Sequence, residues 1–88
     1  MIALTKQFER FTETSIDDEI VVMRLDNGDF FSLEGTAAAT WRLIDGTRDR
    51  SALIEALAAQ FDSDEGEIAA DVDDFLAQLK EQGLIASA

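Results

Sequence analysis

The sequence predicts an α+β domain in which a three-stranded antiparallel sheet is followed by three helices. The dipeptide Asn27-Gly28 is typical of a tight hairpin turn, and apolar residues flank it at the two-residue period of strands. From about Gly35 onwards the apolar residues recur instead at the three- and four-residue spacing of helices. A chain of 88 residues suffices for one domain, 1–88, with a single modest core.

The first strand is predicted over residues 8–14, which are rich in Phe and Thr. Residues 1–7 have no clear period and are expected to fray, although Ile2 and Leu4 could join a sheet edge. A turn at 15–18 then leads into the hairpin.

The hairpin pairs 19–25 with 29–33 across a predicted two-residue type I′ turn at Asn27-Gly28. That loop length predicts the opposing pairs Leu25 and Phe30, Arg24 and Phe31, Met23 and Ser32, and Val22 and Leu33. One face then carries Val21, Met23, Leu25 and Phe30, and the other carries Ile20, Val22, Phe31 and Leu33. A half-buried sheet usually has one polar face, so the second apolar face either reflects strand propensity alone or is kept for a partner.

The first helix is predicted over 35–44. The three alanines at 37–39 are strong helix formers, and Asp45-Gly46 ends the helix. Trp41 falls on its apolar stripe, and a single aromatic residue in such a stripe is interpreted as a core anchor.

The second helix begins after Asp49 or Ser51, both good N-caps, and the third runs from the capping pair at Asp64 to about Gln82, before Gly83. The predicted buried stripe of the second helix is Leu53, Ile54, Leu57, Ala58 and Phe61. The predicted buried stripe of the third is Ile68, Val72, Phe75, Leu76 and Leu79. Two residues expected to fold back after the third helix are Leu84 and Ile85. This order of elements is compatible with a winged helix-turn-helix arrangement.

The composition excludes several kinds of site. The chain has no Cys and no His, which excludes disulfides, thiol catalysis, an imidazole base and thiolate or imidazole metal ligands. No cofactor is expected. The N-terminal residues do not resemble a signal peptide and no run is long enough to span a membrane, so a cytoplasmic location and no membrane partner are expected.

The acidic residues are interpreted as a solvated surface. Seven lie between Asp62 and Asp74, but they lack the spacing of a calcium loop, and helix starts favour acids, so no metal site is predicted. The serines and threonines have no His or Lys partner in a motif, so no catalytic residue is assigned and the chain is not expected to be an enzyme.

Charge argues against nucleic acid as a partner. The formal net charge is −12, with nineteen acidic and seven basic residues. In a helix-turn-helix, the helix that enters DNA needs Lys or Arg, whereas the third helix here carries Asp71, Asp73 and Asp74, with Lys80 as its one base. Arg42, Arg48 and Arg50 form the one basic cluster, read as ordinary solvated charges that a partner enzyme could also use.

Peptide binding by strand addition is the function that remains most consistent with these observations. An edge strand at 29–33 would offer unpaired N–H and C=O groups to an extended peptide. The alternatives are a winged-helix module acting in transcription, through DNA or protein contacts, and a structural subunit of a larger enzyme.

Three runs also resemble the PqqD-like family of peptide chaperones, or RiPP recognition elements: FFSLEGTAAATWRLIDG, SALIEAL and EIAADVDDFLAQLKEQGLI. The resemblance covers about residues 19–85. It implies a domain that binds the leader segment of a ribosomally made precursor peptide and presents it to a modifying enzyme, such as a leader peptidase or radical enzyme. We expect the protein to be a monomer. The hairpin run DNGDFFSL is more similar to stand-alone proteins of lasso-peptide pathways than to the pyrroloquinoline quinone chaperone.

The resemblance further implies that the leader pairs with the third strand of the sheet and packs against the third helix. The residues that it places on the strand side are Asp29, Phe30, Phe31, Ser32 and Leu33. Those that it places on the helix side are Asp71, Asp74, Phe75 and Gln78. For Phe75 a purely structural role in the core is an equally open alternative. Two departures from many relatives, Glu34 in place of Asn and Ala37 in place of Gly, weaken the expected helix start.

Overall fold

The computed structural model describes residues 3–87, so the expectation for Ile2 lies outside the described residues. Within this range the elements are β1 (Leu4–Lys6), β2 (Phe11–Ile16), β3 (Glu19–Arg24), β4 (Phe30–Leu33), α1 (Gly35–Leu43), α2 (Arg50–Phe61), α3 (Glu65–Glu81) and β5 (Ile85–Ser87). An antiparallel sheet in the order β2-β3-β4 is followed by the three helices. The predicted α+β architecture is therefore confirmed.

A second, two-stranded sheet joins the two ends of the described chain. β1 pairs antiparallel with β5, with Thr5 opposite Ala86. The Gln7 N–H donates to the Leu84 carbonyl at 2.8 Å, and Leu4 is buried. Part of the segment expected to fray is thus strand. Patterns over a few neighbouring residues gave no sign of this pairing, because the two strands lie some 80 residues apart in the sequence.

The first strand of the three-stranded sheet begins later than predicted. Phe8–Arg10 is a short 3-10 helix, and β2 runs over Phe11–Ile16 instead of 8–14. Phe11 is buried with its ring centroid 5.2 Å from that of Trp41, whereas Phe8 is 66% exposed. The structure thus places Phe11, and not Phe8, in the core at the start of the strand.

The predicted hairpin register is wrong by two residues. Met23 lies opposite Phe30 and Val22 opposite Phe31, because the loop has four residues instead of two. The Gly28 N–H donates to the Arg24 carbonyl at 3.0 Å, with Gly28 at φ +75°. Since side chains alternate with period two, a shift of two leaves every residue on its predicted face.

The helices follow their predicted caps. The Asp49 side chain accepts a hydrogen bond from the Ala52 N–H at the start of α2, and the Asp64 side chain accepts one from the Gly66 N–H at the start of α3. One prediction for α2 is wrong: Phe61 is 39% exposed, because α2 ends there and its last turn leaves the core.

The end of α3 is a Schellman motif. The Gly83 N–H donates to the Lys80 carbonyl and the Leu84 N–H to the Leu79 carbonyl, both at 3.0 Å, with Gly83 at φ +73°. Leu84 and Ile85 are buried, as expected. This turn carries the chain from α3 directly into β5.

Trp41 is fully buried at the centre of the core, as predicted. Its Nε1–H donates to a Glu13 carboxylate oxygen at 3.0 Å, and the Lys6 Nζ lies 4.6 Å from the ring centroid. Burial lowers the pKa of Lys6, against the opposing charges of Glu13 and Asp45. Trp41 thereby holds β1, β2 and α1 together and fixes the sheet against the helices.

Candidate functional site

β4 forms one edge of the three-stranded sheet. The Arg24 N–H donates to the Asp29 carbonyl at 2.7 Å, which sets the alternation of the ladder. In an antiparallel pair, every second residue exchanges both backbone hydrogen bonds with its partner. Phe31 and Leu33 therefore turn their backbone groups towards β3, while Phe30 and Ser32 turn theirs outwards.

Beside this edge lies a groove of about 380 Å³ between β4 and the C-terminal half of α3, here termed the edge groove. Its lining residues are Phe31, Ser32, Leu33, Phe75, Gln78, Leu79, Glu81, Gln82 and Leu84. The floor is apolar and the helix rim carries two amides and a carboxylate. Such a groove accepts an apolar side chain and offers polar partners to an adjacent backbone.

Five of the nine predicted site residues line the edge groove: Phe31, Ser32, Leu33, Phe75 and Gln78. Asp29 precedes β4 in the hairpin loop, and Phe30 lies on the opposite face of the sheet, where it is 70% exposed. Asp71 and Asp74 lie on α3 one to two turns before Gln78, towards the N-terminus of the helix and beyond the groove.

Four lining residues were not among the predicted site residues: Leu79, Glu81, Gln82 and Leu84. Helical spacing offered a signal for two of them, because Leu79 and Gln82 follow Phe75 at i+4 and i+7 on one face. Leu84 reaches the groove through the Schellman turn, a position that helical spacing does not give.

Phe75 fills both roles that the sequence left open. It is half-buried, packs against the core cluster and lines the edge groove. Its ring is thus a part of the groove floor that the core holds in place.

Arg24 closes the hairpin end of the edge groove. Its Nη1 donates to the Gln82 Oε1 and its Nη2 to an Asp26 carboxylate oxygen, both at 2.6 Å. The groove is therefore bordered by charged groups of both signs at this end. At the other end, and on the opposite face of β4, the Ser32 hydroxyl donates to a Glu19 carboxylate oxygen.

Elsewhere on α3 the acidic surface is partly paired. Arg50 donates from Nε and Nη2 to the two carboxylate oxygens of Asp73, at 2.5 and 2.9 Å. These bonds and the guanidinium charge lower the pKa of Asp73. In the described part of the chain, no three His, Cys, Asp or Glu side chains come together as a metal site.

Comparison with known proteins places this geometry in a family. The family described as "Coenzyme PQQ synthesis protein D (PqqD)" matches residues 19–85, which is most of the chain. No curated protein matches the chain. Among residues 3–87, no helix is both long enough and apolar enough to cross a membrane.

A solved structure, "TbiB1 in Complex with the TbiA(beta) Leader Peptide", is similar over almost its whole length. The TM-score is 0.82 with 25% sequence identity, and the match covers 92% of this chain and 93% of the other. The structural similarity and the family match agree with the resemblance that the sequence motifs carry. The chain belongs to the PqqD family.

Proposed function

We propose that this protein binds the leader segment of a ribosomally synthesised precursor peptide and presents it to a modifying enzyme. The leader adds as a fourth strand beside β4 and places an apolar side chain in the edge groove. The protein acts by binding and has no catalytic role. The proposed setting is the cytoplasm.

The open edge of β4 is the observation that carries this proposal. Phe30 and Ser32 together turn two N–H and two C=O groups outwards, so an added strand gains up to four backbone hydrogen bonds. The edge groove lies along the same strand and is sized for one or two side chains. TbiB1, which shares the fold along almost the whole chain, was solved with a leader peptide bound.

The expected affinity for the leader follows from the number of backbone hydrogen bonds and buried side chains. Four backbone bonds contribute about 1 kcal/mol each, and one or two buried apolar side chains about 1.5–3 kcal/mol each. Ordering a flexible peptide costs about 2–5 kcal/mol. The expected dissociation constant is therefore no tighter than about micromolar, which suits a carrier that passes its peptide on.

The surface charge indicates the character of the leader. At a formal charge of −12, the protein favours a peptide with basic residues, and it disfavours nucleic acid. We assign the protein first to a lasso-peptide pathway, because the hairpin run DNGDFFSL resembles the stand-alone proteins of such pathways. Pyrroloquinoline quinone biosynthesis is the second choice.

The test is a titration of the ¹⁵N-labelled protein with the leader of the precursor peptide encoded beside its gene. The expected result is that the amide signals of Phe30 and Ser32 shift first and farthest, because their N–H groups gain new acceptors. A scrambled leader of the same composition is the control. Shifts confined to α1 or to the Arg42, Arg48 and Arg50 cluster would contradict the proposal.

A further inference from the structure

A second cavity, of about 260 Å³, lies at the hairpin end of the edge groove. We term it the arginine cleft; its lining residues are Glu9, Arg10, Arg24, Leu25, Asp26 and Gln82. Gln82 lines both this cleft and the edge groove, so the two cavities share one wall. A peptide lying along β4 would thus reach the cleft by extending past Phe31.

The cleft holds two guanidinium groups with different surroundings. The Arg24 side chain is only 20% exposed, and one of its two hydrogen bonds goes to the neutral amide of Gln82. Arg10 extends over the end of α3, where its Nη1 would lie 3.4 Å from a Cβ placed on Gly83. Within residues 3–87, the three ion pairs involve Arg24, Arg48 and Arg50, not Arg10.

The two ends of β4 differ sharply in charge. At the far end, beyond Leu33, a cavity of about 340 Å³ is lined by Ile16, Asp17, Asp18, Glu19, Glu34 and Gly35, with no base among them. At the hairpin end, two of the seven basic residues of the chain offset Glu9 and Asp26. A strand bound along β4 therefore meets four carboxylates and the Arg42 guanidinium at one end, and two guanidinium groups with two carboxylates at the other, so the hairpin end is the less negative of the two.

We propose that the arginine cleft is a carboxylate subsite that binds an Asp or Glu side chain of the guest peptide and thereby fixes the direction of the peptide along β4. This inference rests on the proposed function. The carboxylate takes the place of the Gln82 amide on Arg24 and also pairs with Arg10. A guanidinium bond to a carboxylate, in which both partners are charged, is stronger than the guanidinium bond to a neutral amide that it replaces.

Strand geometry gives the spacing of the recognised pattern. Side chains on one face of a strand recur every second residue, about 6.6 Å apart. The residue that enters the edge groove lies beside Phe31, so the acidic residue lies two positions away on the hairpin side. Basic residues of the peptide lie at the opposite end, near Glu19 and Glu34.

The experiment selects a display library of random twelve-residue peptides on the purified protein and on three double variants. The wild type is expected to enrich peptides with Asp or Glu two positions from an apolar residue. Arg10→Gln/Arg24→Gln loses that preference, and Arg10→Glu/Arg24→Glu changes it to Lys or Arg. Arg48→Gln/Arg50→Gln, which removes the same charge at residues that line neither the arginine cleft, the edge groove nor the cavity beyond Leu33, keeps it.

A double-mutant cycle then measures the coupling between the acidic residue of the peptide and the two arginines of the cleft. Replacing the acidic residue of an enriched peptide by its amide weakens binding to the wild type about fivefold and leaves binding to Arg10→Gln/Arg24→Gln unchanged. The variant Arg10→Gln, which keeps both bonds of Arg24, is expected to lose part of the effect even if the double variant is destabilised.

Peptides enriched without an acidic preference, or with the same preference on the wild type and on Arg10→Gln/Arg24→Gln, would overturn the subsite and leave peptide binding intact. A wild-type selection that enriches no peptide at all would instead overturn the proposed function, and the subsite with it.

Discussion

Proline at position 32 separates binding at the β4 edge from the stability of the fold. Ser32 lies opposite Val21 in a pair that exchanges no backbone hydrogen bonds, so its N–H faces the open edge. Proline removes that N–H without removing a bond of the sheet, and it is tolerated on edge strands for this reason. Proline at Phe31 would instead remove a bond to β3.

The expected loss of affinity follows from the contacts of one residue. The Ser32→Pro variant deprives the peptide of one backbone bond, worth about 1 kcal/mol, and leaves a peptide carbonyl without its partner at a further cost of about 1–2 kcal/mol. Binding therefore weakens by about 2–3 kcal/mol, or roughly 30- to 150-fold. The free protein loses at most about 1 kcal/mol of stability, or roughly 4–8 °C in the melting temperature.

The assay is fluorescence anisotropy of a labelled leader peptide, accompanied by thermal unfolding of each variant. Ser32→Ala is the matched control, because both variants lose the hydroxyl that donates to Glu19 and only the proline loses the N–H. If Ser32→Pro binds the leader as tightly as Ser32→Ala does, the peptide does not pair with the outward groups of β4.

Three further predictions concern α3. Phe75→Ala should lower stability by about 2 kcal/mol and weaken leader binding at least tenfold, since the half-buried ring serves core and groove together; denaturant melts and anisotropy measure this. Arg50→Gln should raise the pKa of Asp73, and a pH titration of the Asp73 ¹³C carboxyl chemical shift measures this pKa. Because the folded-state pKa of Asp73 is lowered, the pair stabilises the fold above the ordinary Asp pKa and loses this effect as pH falls through the lowered value; an unchanged pKa in Arg50→Gln would refute the pairing. Gly83→Ala should cost about 1–2 kcal/mol in denaturant unfolding, since φ there is +73°, and an unaltered midpoint would contradict the Schellman assignment.

The local elements were largely predictable because each has its signal within a few residues. Asp49 and Asp64 mark the starts of α2 and α3, and Gly83 marks the end of α3. The faces of the hairpin were also predictable, since alternation assigns each side chain whatever the loop length. Its register was not, because Asn27-Gly28 is compatible with both a two- and a four-residue loop and only packing against the core decides between them.

The lining of the edge groove was partly predictable, and the peptide-binding role of its residues stays a prediction. The resemblance and the strand pattern together pointed to Phe31, Ser32 and Leu33, and these do line the edge groove. Asp71 and Asp74, which the resemblance also places on the helix side, are not in the lining of the edge groove. A periodic pattern tells which face of a helix looks inwards but not which turn lies opposite the strand.

The sequence by itself determined the class of the fold, the helix ends, the two faces of the hairpin and the lack of His and Cys. Only the tertiary structure decided that β1 pairs with β5, that β4 stays an open edge, and that the last turns of α3 form the second wall of the groove. The physical reason is the distance along the chain over which each kind of interaction acts. Caps, turns and periodicity act between residues a few positions apart, whereas strand partners and groove walls depend on which distant surfaces the core brings together.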